Sequence, residues 1–216
     1  MLVEPEIILN APADYLLAGI GDTLATWYEA RVLLPDDTAC SVPYLAKTAL
    51  KMAEGLRDLL FSYSAVALRD QQQGTLTPRF ISVVDAIIAG GGLIGGLGER
   101  FTRVAAAHAV HNGLTVLPQT HRILHGIKVA YGILVQAALL NQQQDIRKLL
   151  HFYHQLKLPV MLAELGVSLS DREEMDKMIA HTLRPRETIH LLPVKVTAET
   201  LYQAMAAIER AGKSAE

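Results

Sequence analysis

Four histidines fall within 18 residues of this 216-residue chain: His108, His111, His121 and His125. His108 and His111 are three apart in an alanine-rich, helix-favouring run, so both side chains can share one helix face. His121 and His125 are four apart, and His125 opens another apolar-periodic run. A carboxylate is available far upstream, at Asp22 of Gly19-Ile20-Gly21-Asp22. One carboxylate and two imidazoles can hold a divalent metal while keeping a coordination position open for chemistry. No short regular pattern joins Asp22 to the histidines. Spacing alone therefore leaves each histidine as readable as a hydrogen-bonded packing residue as it is a ligand.

The elements that must position these groups read as helices. Asn10 followed by Pro12 is a helix-start signal, and Leu16, Leu17, Ile20, Leu24, Trp27 and Tyr28 then recur at helical spacing. The Gly-Ile-Gly interruption is expected to loosen or reset that helix just before Asp22. A second run covers 45–68 and ends in a polar loop over 69–75. Thr77-Pro78 reads as a cap and first-turn proline for a helix through Ile88. Further helices are expected over 103–112, 126–140 and 145–156, then from a Ser-x-x-Glu capping box at Ser170 to about Leu183, and from Thr197 through Ile208. Strand signals at Leu2–Val3, Ile7–Leu9 and Leu191–Val196 are too isolated to build a sheet. The expected fold class is an all-α, multi-helix bundle, with 1–216 forming one domain.

Half of the residues are hydrophobic, which predicts a packed core and excludes disorder. The net charge of −2 gives no electrostatic basis for a nucleic acid or an anionic membrane as partner. A single cysteine, Cys40, rules out an internal disulfide and fits a reducing compartment; it reads as a small, semi-buried loop residue. The first residues lack the basic start and apolar run of a secretory signal. The longest apolar stretch, 83–97, is interrupted by Asp85 and by glycines. It is expected to fall short of the roughly 18–20 apolar residues that span a bilayer. A soluble, cytoplasmic domain is the expectation.

Gly90-Gly91-Gly92-Leu93-Ile94-Gly95 satisfies the dinucleotide string G-x-G-x-x-G. That string has meaning only after a strand, with an acidic residue about 20 positions onward. Here the preceding 83–88 continues a helical pattern, and no Asp or Glu occurs from Phe101 to Thr120. The glycines are read as sites of close helix packing and of a sharp backbone turn beside the histidines.

Three segments, AGIGDTLATWYEAR, AAAHAVHNGLTVLPQTHRILHG and HGIKVAYG, together resemble the catalytic domain of the iron-containing alcohol dehydrogenase family, glycerol dehydrogenase branch. The resemblance runs from about Met1 to about Val196. It implies the helical C-terminal domain of the dehydroquinate synthase-like fold. It also implies metal ligands at Asp22 of Gly-x-Gly-Asp, at His108 as the first histidine of His-Ala-x-His-Asn-Gly, and at His125 of His-Gly. His111 then neighbours the site, with a substrate-binding role, and His121 is a solvated loop residue. No catalytic residue beyond the ligands is implied. The implied cofactors are Zn2+, with Fe2+ as the alternative, and NAD or NADP in the full-length enzyme. The metal would polarise a substrate hydroxyl, and the nicotinamide would take the hydride.

Two departures accompany the resemblance. The glycerol branch places Gly-Phe-Glu about ten residues before the first metal histidine, whereas this chain has Gly98-Glu99-Arg100-Phe101-Thr102-Arg103 in that region. Arg100 and Arg103 would suit a substrate carboxylate, because Arg pairs with carboxylates in a bidentate way; otherwise they are solvated charges. GGLGERFTRVAAAHAVHNGLTVLPQT and HTLRPRETIHLLPV look closer to the hydroxycarboxylate dehydrogenase A type. The second departure is the family's N-terminal nucleotide-binding domain, expected to be absent from this chain together with every cofactor-binding residue. The leading expectation is the metal- and substrate-binding half of an NAD(P)-linked dehydrogenase converting glycerol to dihydroxyacetone, inactive by itself. A 2-hydroxycarboxylate dehydrogenase is the alternative, and a non-catalytic metal-binding helical fragment is the alternative of another class. The expected partner is a small polyol or hydroxy acid, with no nucleic acid and no membrane, and with homo-oligomerisation left open.

Overall fold

A computed structural model describes residues 3–34 and 42–215, so the expectations for Leu2 and Cys40 lie outside the described residues. Every regular element among those residues is helical, as the periodicity predicts. The chain divides into two compact units, Met1–Arg103 and Val104–Glu216.

In the first unit, α1 (Pro5–Leu9) and α2 (Ala13–Leu33) precede the long α3 (Tyr44–Gln72). Then α4 (Pro78–Asp85), a π-turn over Ala86–Gly90 and α5 (Gly91–Gly98) run on without a break. The α3 helix is the hub, packing α2, α4 and α5 through a stripe of Ala46, Ala49, Ala53, Leu56 and Leu60 at spacings of three and four. Thr77 caps α4 by accepting the Phe80 N–H at 3.1 Å. The Ile7–Leu9 strand signal is a helical turn instead. The reason lies in Gln71, whose Nε2 donates to Ile8 O and Ala11 O at 2.9 and 3.0 Å. The same bonds favour the extension of α3 to Gln72, beyond the expected end of the helix.

The helix bearing Asp22 does not reset at Gly-Ile-Gly; α2 is continuous through it. Gly19 serves a close approach, since a Cβ there would sit 3.1 Å from Ile87 Cγ2. The glycine string is likewise helical, with neither a loop nor a sharp turn at Gly90–Gly95. Gly90 lies where a Cβ would meet Leu56 Cδ1 at 3.0 Å. The glycines therefore do not shorten the apolar segment. Pro78–Phe101 is 24 helical residues with a mean hydropathy of 1.9 in an 18-residue window, long and apolar enough by composition to cross a membrane. Only 28% of that window is buried, with Val83, Val84 and Ile94 inward and Ile88 and Leu93 outward.

The second unit is built on α7 (His125–Leu139), which packs against α6 (Ala106–Leu114), α8 (Gln143–Leu156) and α10 (Ala198–Ala215). Its residues 128–137 are all buried, the polar Lys128 and Gln136 among them. The α9 helix (Arg172–Thr182) covers the other side of α6. Its cap is Asp171, one residue later than the expected Ser170: Asp171 Oδ1 accepts the Glu174 N–H, while Ser170 pairs with Ser168. The strand signal at Leu191–Val196 follows a short 3-10 turn, Thr188–Leu191, and forms no strand.

Candidate metal centre

In the first unit, Asp22 lies in the middle of α2 and is half-buried. Arg100 and Arg103 stand at the end of the glycine helix and are exposed. The Arg100 guanidinium stacks 4.9 Å above the Phe101 ring, and Arg103 Nε lies 3.5 Å from Gly95 O. Between helix and arginine is Glu99, whose φ of 48° is uncommon for a residue with a side chain.

In the second unit, α6 carries His108 and His111, and α7 begins at His125. The two helices are held close by a glycine and a glutamine. Gly132 faces Ala107, where any Cβ would collide with that residue's carbonyl. Gln136 of α7 reaches across the contact, and its Oε1 accepts the Ala106 and Ala107 N–H groups at 3.1 and 3.2 Å. Those are amides that a helix start leaves without intrahelical partners. Lys128, also on α7 and buried, donates to Thr120 O at 3.2 Å and ties the helix to the preceding 3-10 turn.

This packing brings three of the predicted histidines together. The His108 and His125 ring centroids are 5.4 Å apart, and those of His111 and His125 are 4.2 Å apart, edge to face. His125 Nδ1 is 3.0 Å from His111 Nε2. On its other side, His111 Nδ1 donates to Asn112 Oδ1 at 3.1 Å, and Asn112 Nδ2 donates to Glu187 Oε2 at 2.9 Å. Burial, followed by the neighbouring His125, lowers the His111 pKa from 6.5 to about 4, so the ring is neutral at pH 7. His121 lies apart in a turn, exposed, with Nε2 3.1 Å from Thr115 O.

Sequence reasoning missed Glu187, Gln136 and Lys128. Asn112 belongs to the His-Asn-Gly word, but no spacing pattern links Glu187 to a histidine so far upstream. Glu187 reaches the cluster because the Thr188 hydroxyl donates to Ala105 O at 2.6 Å, which pins this segment beside the start of α6.

No family model matches the chain. Hydroxycarboxylate dehydrogenase A of Escherichia coli strain K12 is 59% identical over 209 residues, an alignment covering 97% of this chain and 57% of that protein. Glycerol dehydrogenase of Thermotoga maritima is 36% identical over 222 residues, covering 99% of this chain and 58% of that protein. The crystal structure of Schizosaccharomyces pombe glycerol dehydrogenase matches with a TM-score of 0.86 and 33% identity, covering 97% of this chain and 53% of that one. This chain spans about half the length of the curated relatives it matches. The all-helical architecture and the likeness over nearly its whole length agree: the chain is similar throughout to the matching part of hydroxycarboxylate dehydrogenase A and of the glycerol dehydrogenases.

Proposed function

We propose that Asp22, His108 and His125 hold one divalent ion of the zinc class, Zn2+ or else Fe2+, in a metal-dependent, NAD(P)-linked alcohol dehydrogenase. The observation that carries the reading is the imidazole cluster where α6 meets α7, with His108 and His125 rings 5.4 Å apart. Imidazoles are the donor type that a borderline ion favours, and a carboxylate completes a ligand set with room for substrate. When bound, such an ion supplies Lewis-acid polarisation of a substrate oxygen. The protein's part is orientation: α6 and α7 fix the two rings, and the His111 ring packs edge-on against His125. No residue of this chain is assigned to the nicotinamide cofactor, NAD or NADP, with which the assembled enzyme would work.

The substrate is a small molecule bearing a secondary hydroxyl. Glycerol is the first expectation from the resemblance, but the likeness to hydroxycarboxylate dehydrogenase A, at 59% against 36%, favours a 2-hydroxy acid. The exposed guanidinium groups of Arg100 and Arg103 suit a carboxylate for the same reason. Joining the chain to the remaining portion of a hydroxycarboxylate dehydrogenase A relative, and comparing kcat/KM for oxidation of a 2-hydroxy acid with that for oxidation of glycerol, tests the choice. A preference of tenfold or more for the 2-hydroxy acid, about 1.4 kcal/mol of transition-state discrimination, is expected. A tenfold preference for glycerol would reverse it.

A further inference from the structure

We propose that Glu187, acting through Asn112 and His111, sets the tautomer of His125 so that its Nε2 carries the lone pair offered to the metal. The inference rests on the reading of His125 as a ligand and goes beyond it, because it names a remote positioning residue for that ligand.

The argument is a chain of donors and acceptors. A carboxylate only accepts, so the Glu187–Asn112 bond must be donated by the Asn112 amide nitrogen, at 2.9 Å. That turns the Asn112 carbonyl toward His111. A carbonyl cannot donate, so His111 must hold its proton on Nδ1 to make the 3.1 Å bond. A neutral imidazole has one N–H, which leaves His111 Nε2 as an acceptor. At 3.0 Å from it, His125 Nδ1 must supply the proton. With a single ring proton held on Nδ1, the His125 lone pair is on Nε2. Without Glu187 the Asn112 amide can turn over, and both rings lose their fixed tautomers. The side chain is placed to act: Glu187 N donates to Arg184 O at 2.9 Å, and the neighbouring Thr188 is anchored on Ala105. Partners that orient a metal-bound histidine in this way commonly change metal affinity by about 10–100-fold when removed.

The test has two readouts that a merely structural role would not move together. In 15N-histidine-labelled, metal-free protein at pH 7.5, long-range 1H–15N correlation spectra should show His111 and His125 both protonated on Nδ1. His125 protonated on Nε2 would overturn the proposal. Titration with zinc alone should then give a 10–100-fold weaker Kd for Glu187→Leu, with Asn112→Leu as a second break in the chain. Glu187→Gln, whose amide carbonyl still accepts from Asn112, should stay within about threefold of wild type. Wild-type affinity in a folded Glu187→Leu, or loss in Glu187→Gln equal to that in Glu187→Leu, would refute it. If wild type binds no zinc, the metal reading fails separately, and the tautomer spectra still decide whether the orienting chain exists.

Discussion

The contact that joins the two histidine-bearing helices of the second unit makes a sharp prediction at Gly132. A Cβ built there stands 2.9 Å from Ala107 C and Cα, and closer still to its carbonyl oxygen. Backbone on a helix cannot swing aside as a long side chain can. Opening 2.9 Å to an ordinary carbon contact of about 3.5 Å is a relative shift of roughly 0.6 Å between α6 and α7. The same shift stretches the Gln136 bonds to Ala106 N and Ala107 N, now 3.1 and 3.2 Å, past useful hydrogen-bond length. Overpacking costs about 1–3 kcal/mol, each weakened bond adds about 1, and the better helix propensity of alanine returns about 1. Gly132→Ala should therefore destabilise by about 2–4 kcal/mol, lowering Tm by about 4–16 °C in a chain of this size. Zinc affinity should fall at least tenfold, because His108 and His125 ride on the two displaced helices. The internal control is Gly92→Ala. That glycine is also helical, but nothing lies within 4 Å of its Cβ position, so the same substitution should stabilise by up to about 1 kcal/mol. Thermal unfolding of metal-free protein and zinc titration measure both. A Gly132→Ala variant as stable as wild type, with unchanged zinc affinity, would refute the close-packing argument.

Two further predictions concern buried groups of the same unit. His111 has its pKa lowered from 6.5 to about 4, so the unfolded chain binds more protons between those values. Its contribution to stability is complete above pH 6.5 and is lost as pH falls toward 4. The ceiling is about 3 kcal/mol for such a shift, and solvent screening of a half-buried ring reduces it. Urea unfolding of metal-free protein at pH 4.5 and 7.5 should show a larger acid loss in wild type than in His111→Gln; equal losses would disprove the assignment. Tyr131 is fully buried, its hydroxyl makes no hydrogen bond, and burial followed by the nearby Glu209 raises its pKa. Tyr131→Phe removes that uncompensated hydroxyl and should leave stability unchanged or raise it by up to about 1 kcal/mol. A loss above about 1.5 kcal/mol in the urea midpoint would contradict this.

Helices were legible where one signal dominated. Thr77-Pro78 announced α4, and the apolar run after His125 announced α7, because capping and periodicity act locally. Glycine was misread as a reset at Gly19 and as a sharp turn at Gly90–Gly95, while the expected close packing holds at Gly90: the absent Cβ admits Ile87 at Gly19 and Leu56 at Gly90, and the helix continues. The early strand signal at Ile7–Leu9 failed for a similar reason, since Gln71, distant in sequence, satisfies the carbonyls that end α1. For the site, clustering in sequence drew notice to four histidines, and packing gathers three of them while leaving His121 aside. The Asn112–Glu187 bond was invisible, because hydrogen-bond partners brought together by a late turn leave no periodic trace.

The central claim is one metal ion held by Asp22, His108 and His125. Metal content after zinc loading and exhaustive buffer exchange tests it most directly, measured on wild type and on Asp22→Ala, His108→Ala and His125→Ala. The account predicts one zinc per wild-type chain and essentially none in each variant, since two protein ligands rarely hold such an ion with useful affinity. Full occupancy in any one of the three folded variants would remove that residue from the site and contradict the ligand set as proposed.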